Sequence, residues 1–133
     1  MHELALAEGV VATALAAASG RKVRRILIAV GQLQQIDPAF FRECVEQVVP
    51  AGEPALAEVR IELRNEAARL RCRACGRDFG LADLADPPGG EELEAIHFVP
   101  ELAHAYVGCP ACGSPDFEVV AGRGIWIDHI EVE

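Results

Sequence analysis

Apolar residues recur with helical spacing from the start of the chain. Leu4, Ala7, Val11 and Leu15 fall three or four positions apart in MHELALAEGVVATALAAASG, and the run stops near Gly20. The spacing predicts a helix over residues 3–18. KVRRILIAVG follows, dense in branched aliphatics and closed by Gly31, which predicts a strand. In IDPAFFRECVEQVV, Asp37 is placed to cap a helix and Pro38 suits its first position. Phe41, Cys44, Val45 and Val48 then share one helical face. PAGEP, from Pro50 to Pro54, reads as a loop. AEVRIELRNE alternates at Val59, Ile61 and Leu63, as a half-buried strand does.

Beyond Leu70 the character changes. Between Arg71 and Gly113 lie CRAC, CPAC, a Pro-Pro-Gly-Gly turn at residues 87–90 and few periodic apolar positions, the marks of a separate small module. The chain closes on RGIWIDHIEVE, whose apolar residues point both ways, as in a buried strand. This last strand has no partner in the cysteine module and is expected to return to the sheet of the first two. The expected fold is α+β: two helices packed on a small three-stranded mixed sheet, with an inserted zinc-knuckle (zinc-ribbon-like) domain. Residues 1–69 plus 121–133 form the α/β domain, and residues 70–120 the insertion.

Composition narrows the classes. The 133 residues are 51% apolar, enough for a core, and 21 acidic against 12 basic residues leave a net charge of −9. That charge opposes a phosphate backbone, so nucleic acid is an unfavourable partner. The basic clusters Arg21, Lys22, Arg24, Arg25 and Arg69, Arg71, Arg73, Arg77 read as solvated surface. No stretch approaches the roughly 20 apolar residues that span a bilayer. The Ala-rich start lacks a basic leader and carries Glu3 and Glu8, so the expectation is a cytoplasmic protein with no membrane association.

Four of the five cysteines form the pattern C-x2-C, 33 residues, C-x2-C. Each half is a knuckle, CRACG and CPACG, whose tight loop presents two thiolates to one metal. The glycine behind each pair, Gly76 or Gly113, allows a positive φ and turns backbone N–H groups toward the sulfurs. Four thiolates in a tetrahedron suit zinc at ~2.3 Å, and a closed set with no open position is structural. Iron in a rubredoxin-like carrier has the same ligands but leaves the α/β part unexplained. Cys44, among apolar residues, reads as a small buried hydrophobe.

The other candidate site is the start itself. The α-amino nitrogen of Met1, the amide nitrogen of His2 and its imidazole can close adjacent five- and six-membered chelate rings. Three nitrogens in one plane suit Ni(II) or Cu(II). If the helix begins near residue 3, its first N–H groups have no intrahelical acceptor, so the His2 amide can lose its proton at no cost to the helix. Of the remaining histidines, His97 and His104, in AIHFVPELAHAYVGC near the metal module, are better extra ligands than His129 in the last strand.

MHELALAEGVV at the start, paired CxxC motifs after residue 70 and CPACGSPDFEVVAGRGI near the end together resemble the HypA family of nickel metallochaperones over essentially the whole chain. The resemblance implies a nickel-binding α/β domain carrying an inserted zinc domain. It implies maturation of [NiFe] hydrogenase, with Ni(II) passed toward the hydrogenase large subunit alongside a HypB-like GTPase. Carried over by motif, His2 is the essential nickel ligand with Met1 and Glu3 beside it. Cys72, Cys75, Cys109 and Cys112 are the zinc ligands. The long segment between the knuckles resembles the archaeal branch and favours His97 as a further nickel ligand. Zn2+ is then structural and Ni2+ the cargo, and the protein binds and transfers rather than catalyses. The alternative is a zinc-ribbon nucleic-acid or protein-binding module.

Overall fold

In chain order the elements are α1 (Glu3–Ala18), β1 (Val23–Gly31), α2 (Pro38–Val48), β2 (Arg60–Glu66), β3 (Arg69–Cys72), β4 (Asp78–Phe79), α3 (Gly90–Phe98), α4 (Ala103–Tyr106), β5 (Phe117–Ala121) and β6 (Ile125–Val132). The structure, a computed structural model, describes residues 3–133 apart from the side chain of Pro100; Met1 and His2 lie outside the described residues. The chain divides into two compact units. The first holds Met1–Val30, Ile36–Asn65 and Ile125–Glu133, the second Gly31–Gln35 and Glu66–Gly124.

The first unit is built on the sheet β2-β1-β6, with β6 antiparallel to β1 in a register running from Val23↔Val132 to Val30↔Ile125. Central β1 buries Ile26, Ile28 and Val30 in a core shared with Phe41, Cys44 and Val45 of α2. That is the α2 face the spacing predicts. Asp37 caps α2 by accepting a hydrogen bond from the Ala39 N–H at 3.2 Å, and Pro38 opens the helix. On α1, Ala7 and Val11 of the expected stripe are buried and only Leu4 departs from it. Ala7, Val10, Val11, Ala14 and Ala18 are inside, Leu15 is half-buried, and Leu4 remains 46% exposed. The buried side chains are small, which lets the helix axis approach its neighbours closely.

β6 corrects a second expectation. It returns to the sheet of β1 and β2 as the pattern required, but as an edge strand whose residues are half-buried or exposed. Its alternating apolar positions have β1 on one side only, so double-sided apolarity does not translate into burial. The basic cluster near residue 25 is neutralised across the strands: Arg25 Nε donates to Glu62 at 2.8 Å, and Arg25 Nη1 reaches Glu131 at 3.3 Å.

The second unit centres on a second sheet, β4-β3-β5, antiparallel throughout. Its core includes Leu33, Leu70, Phe79, Ile96, Val107 and Phe117. The Phe79 and Phe117 rings meet edge to face at 6.1 Å and 80°. The segment between the knuckles that carries His97 and His104 folds into α3, a turn and α4, with Ile96, Ala103 and the following Val107 buried. Its apolar face is one or two side chains wide per turn, too narrow to show as a period.

By contact, residues 31–35, 66–69 and 121–124 group with the second unit. There the Gly31 N–H donates to Gly124 at 2.8 Å and the Leu33 N–H to Gly122 at 2.9 Å. The Ala68 N–H donates to Gln32 Oε1 at 2.8 Å, and the Gly122 N–H to Glu66 Oε1 at 2.7 Å. A Cβ on Gly31 would lie 2.3 Å from the Gly122 carbonyl oxygen, so only glycine permits this approach.

Candidate metal centre

The first knuckle closes the β3–β4 turn, and the second leads into β5. Each is held by the same two backbone contacts and by one N–H donated to its first sulfur. In the first, the Cys72 N–H donates to Arg77 at 2.8 Å, Gly76 N–H to the Cys72 carbonyl at 2.9 Å, and Cys75 N–H to Cys72 Sγ at 3.4 Å. In the second, Cys109 N–H donates to Ser114 at 2.9 Å, Gly113 N–H to the Cys109 carbonyl at 2.7 Å, and Ala111 N–H to Cys109 Sγ at 3.4 Å. Gly76 and Gly113 have φ of +79° and +78°, the left-handed backbone their positions call for.

The two knuckles bring the four sulfurs within 4.8 Å of one another. Cys72 and Cys112 Sγ are 3.5 Å apart, Cys75 and Cys109 3.6 Å. A tetrahedron with metal–sulfur bonds of ~2.3 Å has edges near ~3.8 Å, so the cluster has the dimensions of a zinc site. Cys72 and Cys109 are buried, Cys75 and Cys112 exposed.

The sulfurs differ in acidity. Burial opposes ionisation of Cys109, but the N–H groups of Cys112 and Ala111 and the neighbouring thiols outweigh it and bring the thiol down to about 6. At Cys112 the Ser114 N–H favours the thiolate, yet hydrogen bonding with Cys72, burial and the other two thiols push it up to about 11. Cys72 is lowered, chiefly by the Cys75 N–H. Cys75 is raised: the Arg77 N–H lowers it, but bonding to Cys109 and burial prevail. Each knuckle thus pairs one thiol shifted toward the thiolate with one shifted away from it.

The arginines around the first knuckle are paired. Arg71 Nε donates to Asp78 Oδ1 at 2.7 Å, and Arg73 Nη1 to Asp116 Oδ1 at 3.1 Å. That bond from Arg71 holds the Asp78 carboxyl below its usual range.

Of the expected nickel ligands, Met1 and His2 lie outside the described residues, and Glu3 opens α1. His97 lies in the last turn of α3, half-buried, with its ring at 5.1 Å from Phe98, and it lines a mainly apolar cavity with Leu33, Ile96, Val107 and Phe117. His104, on α4, reaches the Pro115 carbonyl oxygen with Nδ1 at 2.6 Å. His129 is exposed on β6, 3.5 Å from Asp128. The links from Arg73 to Asp116 and from His104 to Pro115 had no sequence signal, because each joins residues distant in the chain.

Fold and site together define a small α+β protein carrying a four-thiolate zinc-knuckle unit. The model of the hydrogenase/urease nickel incorporation metallochaperone family, HypA, matches residues 1–132. Hydrogenase maturation factor HypA of Thermococcus onnurineus is 38% identical over 138 residues, covering 100% of this chain and 96% of the relative. That of Pyrococcus abyssi is 38% identical over 136 residues, again with 100% and 96% covered. Among solved structures, the solution structure of the Ni metallochaperone HypA from Helicobacter pylori superposes with a TM-score of 0.63 at 17% identity, covering 99% of this chain and 97% of that one. The chain belongs to the HypA family of nickel metallochaperones for hydrogenase maturation. The nucleic-acid or protein-binding zinc ribbon is not favoured.

Proposed function

We propose that Ni(II) is held at the amino terminus by the Met1 amine, the His2 amide nitrogen and the His2 imidazole, with Glu3 beside them and His97 as a further ligand. What supports this reading is that the nickel-incorporation family matches from residue 1. The first N–H groups of any helix have no intrahelical acceptor, so a deprotonated amide at a helix start costs no helix hydrogen bond. The helix dipole favours negative charge at that end. Cys72, Cys75, Cys109 and Cys112 are the ligands of a structural zinc. A nitrogen chelate that can exchange a ligand suits cargo, whereas a closed thiolate set suits permanence. The recipient is the hydrogenase large subunit, the partner a HypB-like GTPase and the setting the cytoplasm. The protein carries metal and does not catalyse.

The test is calorimetric titration of Ni(II) into the untagged protein, His2→Ala, His97→Ala, His104→Ala and a form with one extra N-terminal glycine. The extra residue converts the Met1 amine to an amide, so it and His2→Ala should weaken nickel binding severely with zinc content unchanged. His97→Ala should weaken it more than His104→Ala. Wild-type nickel binding by both the extended protein and His2→Ala refutes the N-terminal site.

A further inference from the structure

The long segment between the knuckles ends in a brace on the second one. His104, on α4, places Nδ1 2.6 Å from the carbonyl oxygen of Pro115, three residues past Cys112. A carbonyl can only accept, so Nδ1 carries the hydrogen and the neutral ring is fixed with its lone pair on Nε2. The ring also lies against Phe117 at 4.5 Å, tilted 33°. Phe117 is 2% exposed, opens β5 and is paired in register with Cys72.

The same segment, residues 115–117, is also held by the first knuckle. The Arg73 N–H donates to the Asp116 carbonyl at 2.9 Å, and Arg73 Nη1 donates to Asp116 Oδ1 at 3.1 Å and to the Phe117 carbonyl at 3.2 Å. Residues 115–117 are therefore tied to both α4 and CRAC, and their position sets where Cys109 and Cys112 stand relative to Cys72 and Cys75. Neither His104 nor Arg73 contributes a thiolate.

We propose that His104 is a positioning residue of the zinc centre, fixing the exit of the second knuckle through Nδ1–H and its ring face so that all four sulfurs converge. The inference rests on the reading that the four cysteines hold zinc. On it, the segment between the knuckles governs how tightly the second thiolate pair is retained. His104 is exposed, so replacing it opens no cavity in the core.

The experiment measures zinc transfer from the full-length, untagged protein to a chromophoric chelator in excess, for wild type, His104→Ala, His104→Asn and Cys75→Ala. Asparagine puts an N–H donor near the place of Nδ1 without the ring. His104→Ala should purify with zinc but release it roughly threefold to tenfold faster, the worth of one net hydrogen bond. His104→Asn should recover most of that loss. In the Co(II)-substituted His104→Ala protein, the thiolate-to-metal bands should keep their intensity per cobalt, showing four sulfurs still bound. A wild-type release rate in His104→Ala overturns the proposal, as does an Asn variant no slower than the Ala variant. Full zinc retention in Cys75→Ala instead overturns the zinc reading itself, whatever His104 does.

Discussion

Two glycines illustrate how differently one residue type can act. Gly9 lies on the exposed side of α1 with nothing within 4 Å of where a Cβ would be. Gly9→Ala should stabilise the first unit by about 0.5–1 kcal/mol, since alanine loses less backbone entropy in a helix. Gly122 has φ of +90°, and a Cβ there would meet Ala68 Cα at 2.4 Å. Gly122→Ala should therefore cost about 3 kcal/mol or more, through strain and displacement of the crossing chain. Urea titrations followed by circular dichroism should move the midpoint up for the first variant and down for the second. The knuckle glycines could be anticipated from CRACG and CPACG, because the motif itself states the turn. The demand for glycine at positions 31 and 122 arises only where distant segments touch.

At the scale of the element, legibility followed periodicity. β1 was readable from its run of branched aliphatics, and α2 and β2 because Phe41 and Ile61 occupy the inward positions their spacing assigns. α3 escaped because Leu93 and Ile96 are nearly its whole inward face. β3, β4 and β5 escaped because they are two to five residues long and are defined by cross-strand pairing. The charged ladder of the first sheet carries a pH prediction. The hydrogen bond from Arg25, reinforced by that charge against partial burial, holds the Glu62 carboxyl below its usual range. A carboxyl lowered in the folded state stabilises above its unfolded pKa of about 4.3, and the contribution disappears as the pH falls through the folded value. Glu62→Gln should thus lower the melting temperature slightly at pH 7, screening keeping the effect small. The difference should shrink as the pH falls below the unfolded carboxyl's range. Fluorescence of the single tryptophan, Trp126 in the adjoining β6, follows that melt.

For the whole molecule, the two cores predict unequal responses to loss of metal. The second unit is organised around the knuckles, and metal binding contributes to its folding free energy. The first unit has its own core of Ile26, Ile28, Phe41 and Val45. After chelation, hydrogen exchange should accelerate sharply at the amides of Cys72, Gly76, Cys109 and Gly113 while β1 stays protected. Zinc uptake by the apo protein should also depend on pH. With Cys109 at about 6 and Cys112 at about 11, a neutral solution leaves protons that the metal must displace. Apparent zinc affinity should rise from pH 6 to pH 8, and calorimetry in buffers of different ionisation enthalpy counts the protons released.

The sequence by itself determined the family, the α+β character, the four-cysteine cluster and the return of the last strand to the first sheet. These rest on local rules: helix and strand periodicity, a capping aspartate, a cysteine spacing with its own turn glycine. Tertiary structure alone decided that β6 is an edge, that α1 turns its alanines rather than Leu4 inward, and that Gly31–Gln35 joins the zinc-knuckle unit. It alone placed the Pro115 carbonyl against His104 and Asp116 against Arg73. The reason is physical: burial and hydrogen bonding between residues far apart in the chain depend on which surfaces meet, and no period along the chain records that.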